Sequence, residues 1–228
     1  MVKKIMAFCA SAIILMGVLS GCNPISLILS QGFDASKYVK GILDSTYLGE
    51  YTDYMETTNA TEEEAAAGYE SGLEVEAEVF ANYFGFWDYF TSEEMDSQLR
   101  TDIINFYREV YSHSSYQVKE ASKTDSGYTV EVTIQPINIF SDAAEELNAY
   151  LDEVQTGLDA GLFDEVSDAD FYREYAAGIL DICKKYAENP TFAEDITLAI
   201  LVTKDSDGLY GISDTDFQNL DTEIIAYP

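Results

Sequence analysis

From Tyr128 to Gln135 the chain alternates without a break: Tyr128, Val130, Val132 and Ile134 are apolar or aromatic, and Thr129, Glu131, Thr133 and Gln135 are polar. A side-chain period of two sends the two sets to opposite faces, so the segment predicts a strand with one buried and one wet face. Tyr116 and Val118 begin a partner strand, and Thr124-Asp125-Ser126-Gly127 supplies the turn between them. Pro136 ends the strand, because proline removes a ladder donor.

On either side of this hairpin the period becomes helical. Asp34 to Leu48 reads as a first helix ending at Gly49, and Glu50 to Thr57 as a short second one before the break Thr58-Asn59-Ala60. Thr61 and Glu64 form a capping box, and Ala66, Tyr69, Leu73, Ala77, Phe80 and Phe84 then repeat at three- and four-residue steps. Glu62, Glu63, Glu70, Glu74 and Glu78 fall mostly on other faces, which predicts a long amphipathic helix with an acidic solvent face. A second box, Thr91 to Glu94, is read as opening the next helix, which carries Leu99, Ile103, Phe106 and Val110 and ends near Ser112.

Beyond Pro136 two stripes, Ala144-Leu147-Leu151-Val154-Leu158 and Phe171-Tyr175-Ile179-Ile182-Tyr186, predict a helical hairpin with Ser167 as the second N-cap. Ile196 to Val202 is apolar at almost every position, as expected of a strand covered on both faces. Asp205-Ser206-Asp207-Gly208 turns it into Leu209 to Ile212, and Asp214 is expected to cap a short last helix. Segregated helices and about four antiparallel strands predict an α+β domain, with helices packed on a curved antiparallel sheet. This arrangement resembles the cystatin-like or nuclear-transport-factor-like cone.

The N-terminus reads separately. Lys3 and Lys4 precede an apolar run from Ile5, which closes with Leu19-Ser20-Gly21-Cys22. The basic start, apolar stretch and small residues before a cysteine resemble the lipobox of a bacterial lipoprotein signal peptide. The apolar run is shorter than the roughly 20 residues a membrane-spanning helix needs. The resemblance implies residues 1–21 as a signal peptide, lipidation of Cys22 by palmitate-type acyl chains, a tether over 22–32 and the α+β domain over 33–228. It places the domain at the cell membrane, lipid-anchored on the extracytoplasmic face. Together with the Tyr38-to-Tyr47 helix opening and the Asp207-Gly208-Leu209-Tyr210-Gly211-Ile212 ending, the lipobox is similar to uncharacterised lipoproteins of Firmicutes.

Removing the leader takes Lys3 and Lys4, so 12 basic residues become 10 against 42 acidic ones and the formal charge moves from -30 to -32. Such a chain repels nucleic acid and anionic membrane surfaces. Hydrophobic residues at 47% and aromatics at 13% argue against a disordered acidic tail, since they can offset the entropy of ordering. With Cys9 in the leader and Cys22 lipidated, Cys183 has no disulfide partner and reads as a buried thiol on a helix.

No catalytic constellation is legible. His113 is the single histidine, at a helix exit between serines, where a capping role outweighs a catalytic one. Asp205, Asp207 and Gly208 match part of a calcium loop, but strands flank them and an Asp-Gly turn explains the same residues. No metal site and no cofactor are expected. Tyr83, Phe84, Phe86, Trp87 and Tyr89 lie in the densest aromatic segment, and they read either as the wall of a ligand pocket or as core filling. Tyr47, Tyr51 and Tyr54 read as helix packing with wet hydroxyls. The expected role is a non-catalytic module that binds a small molecule, glycan, peptide or protein partner. The alternatives are a cell-envelope hydrolase using paired carboxylates, or a structural envelope subunit.

Overall fold

Asp34 opens the fold as an N-cap, its carboxylate accepting the Lys37 N–H at 3.0 Å, and helix α1 follows over Ala35–Leu43. The computed structural model describes residues 32–205 and 208–226. The lipobox, Cys22 and most of the tether lie outside the described residues. Helix α1 runs without a break into a π-helical turn, Asp44–Leu48, which stops at Gly49 in the left-handed conformation (φ 65°). Helix α2 (Thr52–Thr58) and the long α3 (Glu62–Tyr83) follow, and the Thr61–Glu64 capping box at the start of α3 is complete.

The second predicted box does not form. Thr91 closes a four-residue helix α4 (Trp87–Phe90), its hydroxyl donating to the Trp87 carbonyl at 3.0 Å. Helix α5 (Ser97–Ser112) is instead capped by Asp96, which accepts the Leu99 N–H at 2.8 Å. Burial of both Phe90 and Leu99 requires the chain to turn between them, and a helix started at Thr91 would not allow it.

Strands β1 (Ser115–Val118), β2 (Ser122–Lys123) and β3 (Gly127–Gln135) form the hairpin. Helices α6 (Ile139–Asp159) and α7 (Asp168–Ala187) form the helical pair, with Ser167 accepting the Asp170 N–H as the predicted N-cap. Strands β4 (Ile196–Lys204) and β5 (Tyr210–Ile212) precede α8 (Asp214–Asp221). Ser213 caps α8, and Asp214 sits one residue inside its first turn.

The sheet is antiparallel with order β1-β3-β4-β5, and β2 pairs with the start of β3. It curls into a half-barrel against which the helices pack. Register places Val130 opposite Ile200 and Tyr128 opposite Val202 on the inner face, and Glu131 opposite Ala199 on the outer. The expectation that β4 is covered on both faces is overturned: Thr197, Ala199 and Leu201 are exposed. All the alternating burial of β4 follows from a single helical layer on the inner side. The fold is therefore the α+β arrangement of helices on a curved antiparallel sheet of about four main strands.

Candidate functional site

The π-helical turn brings a cluster of acids and phenols together. A π turn accommodates an extra residue within the helical ladder, and Asp44, Ser45 and Tyr47 are all buried there. The Tyr47 hydroxyl donates to Asp221 Oδ1 of α8 at 2.8 Å, so this hydroxyl is enclosed and not wet. Tyr111 of α5, whose ring lies 5.1 Å from that of Tyr47, donates to Glu76 Oε1 of α3 at 2.6 Å. Tyr116 of β1 donates to Asp44 Oδ1 at 2.7 Å, and Lys40 pairs with the other Asp44 oxygen.

Glu76 and Asp221 are only half-buried as residues, yet their carboxyl groups are densely surrounded. Burial pushes Glu76 up to about 8, and the neighbouring Asp221 charge adds to the shift while the Tyr111 hydrogen bond opposes it. Burial raises Asp221 as well, against the opposing bond from Tyr47. The two acids are electrostatically coupled, and their repulsion favours keeping one of them protonated. Tyr47 and Tyr111 are held well above the ordinary tyrosine range, first by burial and then by these acids, so both remain donors.

Neither Glu76 nor Asp221 stands out in the sequence as chemistry. The available signal is positional: Glu76 follows Leu73 by three and precedes Phe80 by four on the buried stripe of α3. An acid on an apolar stripe demands a partner.

The aromatic segment sits differently. Phe84, Phe86 and Tyr89 are buried, with Phe86 at 1% exposure, and Tyr83 and Trp87 are half-buried. Phe80 gathers Phe84, Phe86, Phe106, Tyr107 and Phe140 within 6.4 Å between ring centres. The Tyr89 hydroxyl accepts the Asp96 N–H at 3.1 Å. Behind this cluster, Tyr175 donates to the Phe84 carbonyl at 2.8 Å. The other side of Tyr175 faces a hollow of about 200 Å³ between α6 and α7, walled by Tyr150, Val154, Phe163 and Phe171 with Asp170 and Glu174. Drug-sized ligands usually occupy roughly 300 Å³ or more.

His113 is the C-cap of α5, with Nε2 3.6 Å from Glu109. Cys183 is buried and free, and burial pushes its thiol up to about 12, as an inert core cysteine requires. Among the described residues no group of three or more His, Cys, Asp or Glu is placed to hold a metal ion. Among the same residues no helix is long and apolar enough to cross a membrane.

No protein-family model matches the chain, and no curated protein matches it. The fold is similar to that of ycdA, a lipoprotein candidate from Bacillus subtilis strain 168 known from a crystal structure at 2.62 Å resolution. The TM-score is 0.58 at 17% identity, over 86% of this chain and 57% of the other. The chain thus spans little more than half of that protein's length, and at this identity the likeness concerns the fold.

Proposed function

We propose that this chain is a lipid-anchored, extracytoplasmic module that binds a partner through the surface of its folded domain. In this reading residues 1–21 are removed, Cys22 carries the acyl chains, residues 22–32 are the tether, and 33–228 form one cystatin-like or nuclear-transport-factor-like domain. Leu19-Ser20-Gly21-Cys22 and the fold likeness to a lipoprotein candidate support the anchor. The observation that carries the binding mode is the ring packing around Phe80, which fills the space between helices and sheet where a cone would otherwise hold a ligand. Recognition is then left to the outside, where the uncovered sheet face presents Thr129, Glu131, Thr197 and Leu201.

Replacing Cys22 with alanine is expected to abolish acyl labelling and move the chain from the membrane to the soluble fraction. Photo-crosslinkers placed at Thr129, Thr197 and Leu201 in intact cells should yield a discrete protein adduct. Melting shifts with glycans or peptides and no such adduct would replace the surface reading with a small-ligand one.

One observation favours a second reading. Glu76, raised to about 8 beside Asp221, has the protonation behaviour of a general acid paired with a second carboxyl, as an envelope hydrolase would need. Turnover of cell-wall glycan by the lipidated chain, lost in both Glu76→Gln and Asp221→Asn, would establish it; no turnover by the wild-type chain removes it.

A further inference from the structure

Ten basic residues follow the leader, and eight of them have a carboxylate within 4.0 Å, for example Arg108 with Glu70 at 2.7 Å and Lys119 with Glu131 at 2.7 Å. Among the described residues the other two, Lys123 and Lys204, have no such partner. In a chain with 42 acids this exception is local, because both lysines lie at the same end of the sheet. Lys123 in β2 is paired across the ladder with Tyr128, and Lys204 at the end of β4 with Tyr210. Both are exposed, and the Lys204 ammonium lies 4.8 Å above the Tyr210 ring.

The same end receives the chain from its N-terminus. Phe33 stacks on Tyr210 with ring centres 3.9 Å apart and planes 6° from parallel, and it also meets Tyr128 at 5.7 Å and Tyr38 at 5.6 Å. The folded body is therefore gripped where the tether enters it. Residues 23–32 separate that grip from Cys22, and ten residues span at most roughly 35 Å when fully extended. A lipid on Cys22 would tether the domain to the bilayer at this end of the sheet, within that reach.

Resting on the anchored reading above, we propose that the end of the sheet formed by Phe33, Lys123, Tyr128, Lys204 and Tyr210 is the membrane-facing surface, with the two lysines meeting anionic phospholipid headgroups. Charge makes the choice of face selective. The mature domain as a whole is repelled by an anionic bilayer, and screening confines each contact to about 10 Å, so the patch that comes close decides the orientation. The acids at this end, Asp34, Asp125 and Asp205, keep their charges, and two of them are held down on the backbone, Asp34 by the Lys37 N–H and Asp205 by the Leu209 N–H at 2.9 Å. The ammonium groups ride on long flexible stems and reach beyond short acids. Tyr128 and Tyr210 add amphipathic rings of the kind that sit at a bilayer's polar boundary. The acyl chains supply the attachment; the lysines select the face.

The test uses the full lipidated chain in vesicles of phosphatidylcholine, with and without phosphatidylglycerol. An environment-sensitive fluorophore is placed either at Ser126→Cys, in the turn beside Lys123, or at Glu194→Cys, at the opposite end of the sheet. Buried Cys183 stays unlabelled. Phosphatidylglycerol is expected to shift the emission of the first label and not the second, with high salt reversing the shift. The Lys123→Glu/Lys204→Glu chain should lose the response while still floating with the vesicles, and the Lys123→Gln/Lys204→Gln chain provides the same comparison if the charge reversal disturbs folding. Equal emission at Ser126 in both vesicle types, or equal shifts at the two ends, overturns the membrane-facing assignment alone. A chain that carries no acyl group on Cys22 and fails to float overturns the anchored reading and this inference together.

Discussion

Glu76 shows how one side chain can tie stability to pH. In the unfolded chain its carboxyl takes the ordinary value near 4.5, and in the folded protein burial and the Asp221 charge raise it to about 8. The folded state binds that proton more tightly, so the stabilisation is complete below the unfolded value and is lost as pH rises through the folded one. Urea unfolding is therefore expected to show a midpoint that falls steadily from about pH 5 and levels off above about pH 8, with most of the loss already incurred by neutrality. Glu76→Gln keeps the shape and removes this titration, leaving that of Asp221, so its midpoint should fall less than that of the wild type across the same range. A variant as pH-dependent as the wild type would place the titration elsewhere. Cys183 marks the opposite case, a residue whose burial and inertness both follow from its place on an apolar stripe.

Among the elements, helices α1, α3 and α7 were legible because apolar spacing and capping residues agree locally. Thr61 with Glu64 and Ser167 with Asp170 form their caps as their positions imply. Thr91 with Glu94 has the same signature and forms none, because α4 intervenes and the Thr91 hydroxyl is used on Trp87. Glycine substitutions separate local propensity from tertiary contact. Alanine is worth roughly 0.8–1.0 kcal/mol over glycine in a helix interior. At Gly72 in α3 an added Cβ meets nothing within 4 Å, so Gly72→Ala is expected to raise the melting temperature. At Gly41 in α1 it would lie 2.6 Å from the Tyr54 backbone nitrogen and 2.7 Å from the Asp53 carbonyl carbon, so α2 must move away. Gly41→Ala should lower the melting temperature despite the same helical gain. Thermal unfolding of both variants checks the two signs.

At the scale of the whole molecule, net charge opposes compaction, since a formal charge of -30 repels itself throughout the chain. Added sodium chloride shortens the screening length from about 30 Å at 0.01 M to about 10 Å at 0.1 M. The melting temperature at neutral pH should rise over that interval, and a flat or falling curve would mean that the paired charges, such as Arg108 with Glu70, outweigh the general repulsion. The α+β class, the hairpin around Gly127 and most helix stripes were determined by the sequence alone, because periods of 2 and 3.6 are written into consecutive residues. The one-sided exposure of β4, the filling of the interior by rings from α3, α4, α5 and α6, and the electrostatic coupling of Glu76 to Asp221 were decided only by the tertiary structure. Those features depend on which distant segments share a face: Tyr47 and Asp221 are separated by 174 positions, and Lys123 and Lys204 converge on Phe33 only because β2, β3, β4 and β5 lie side by side.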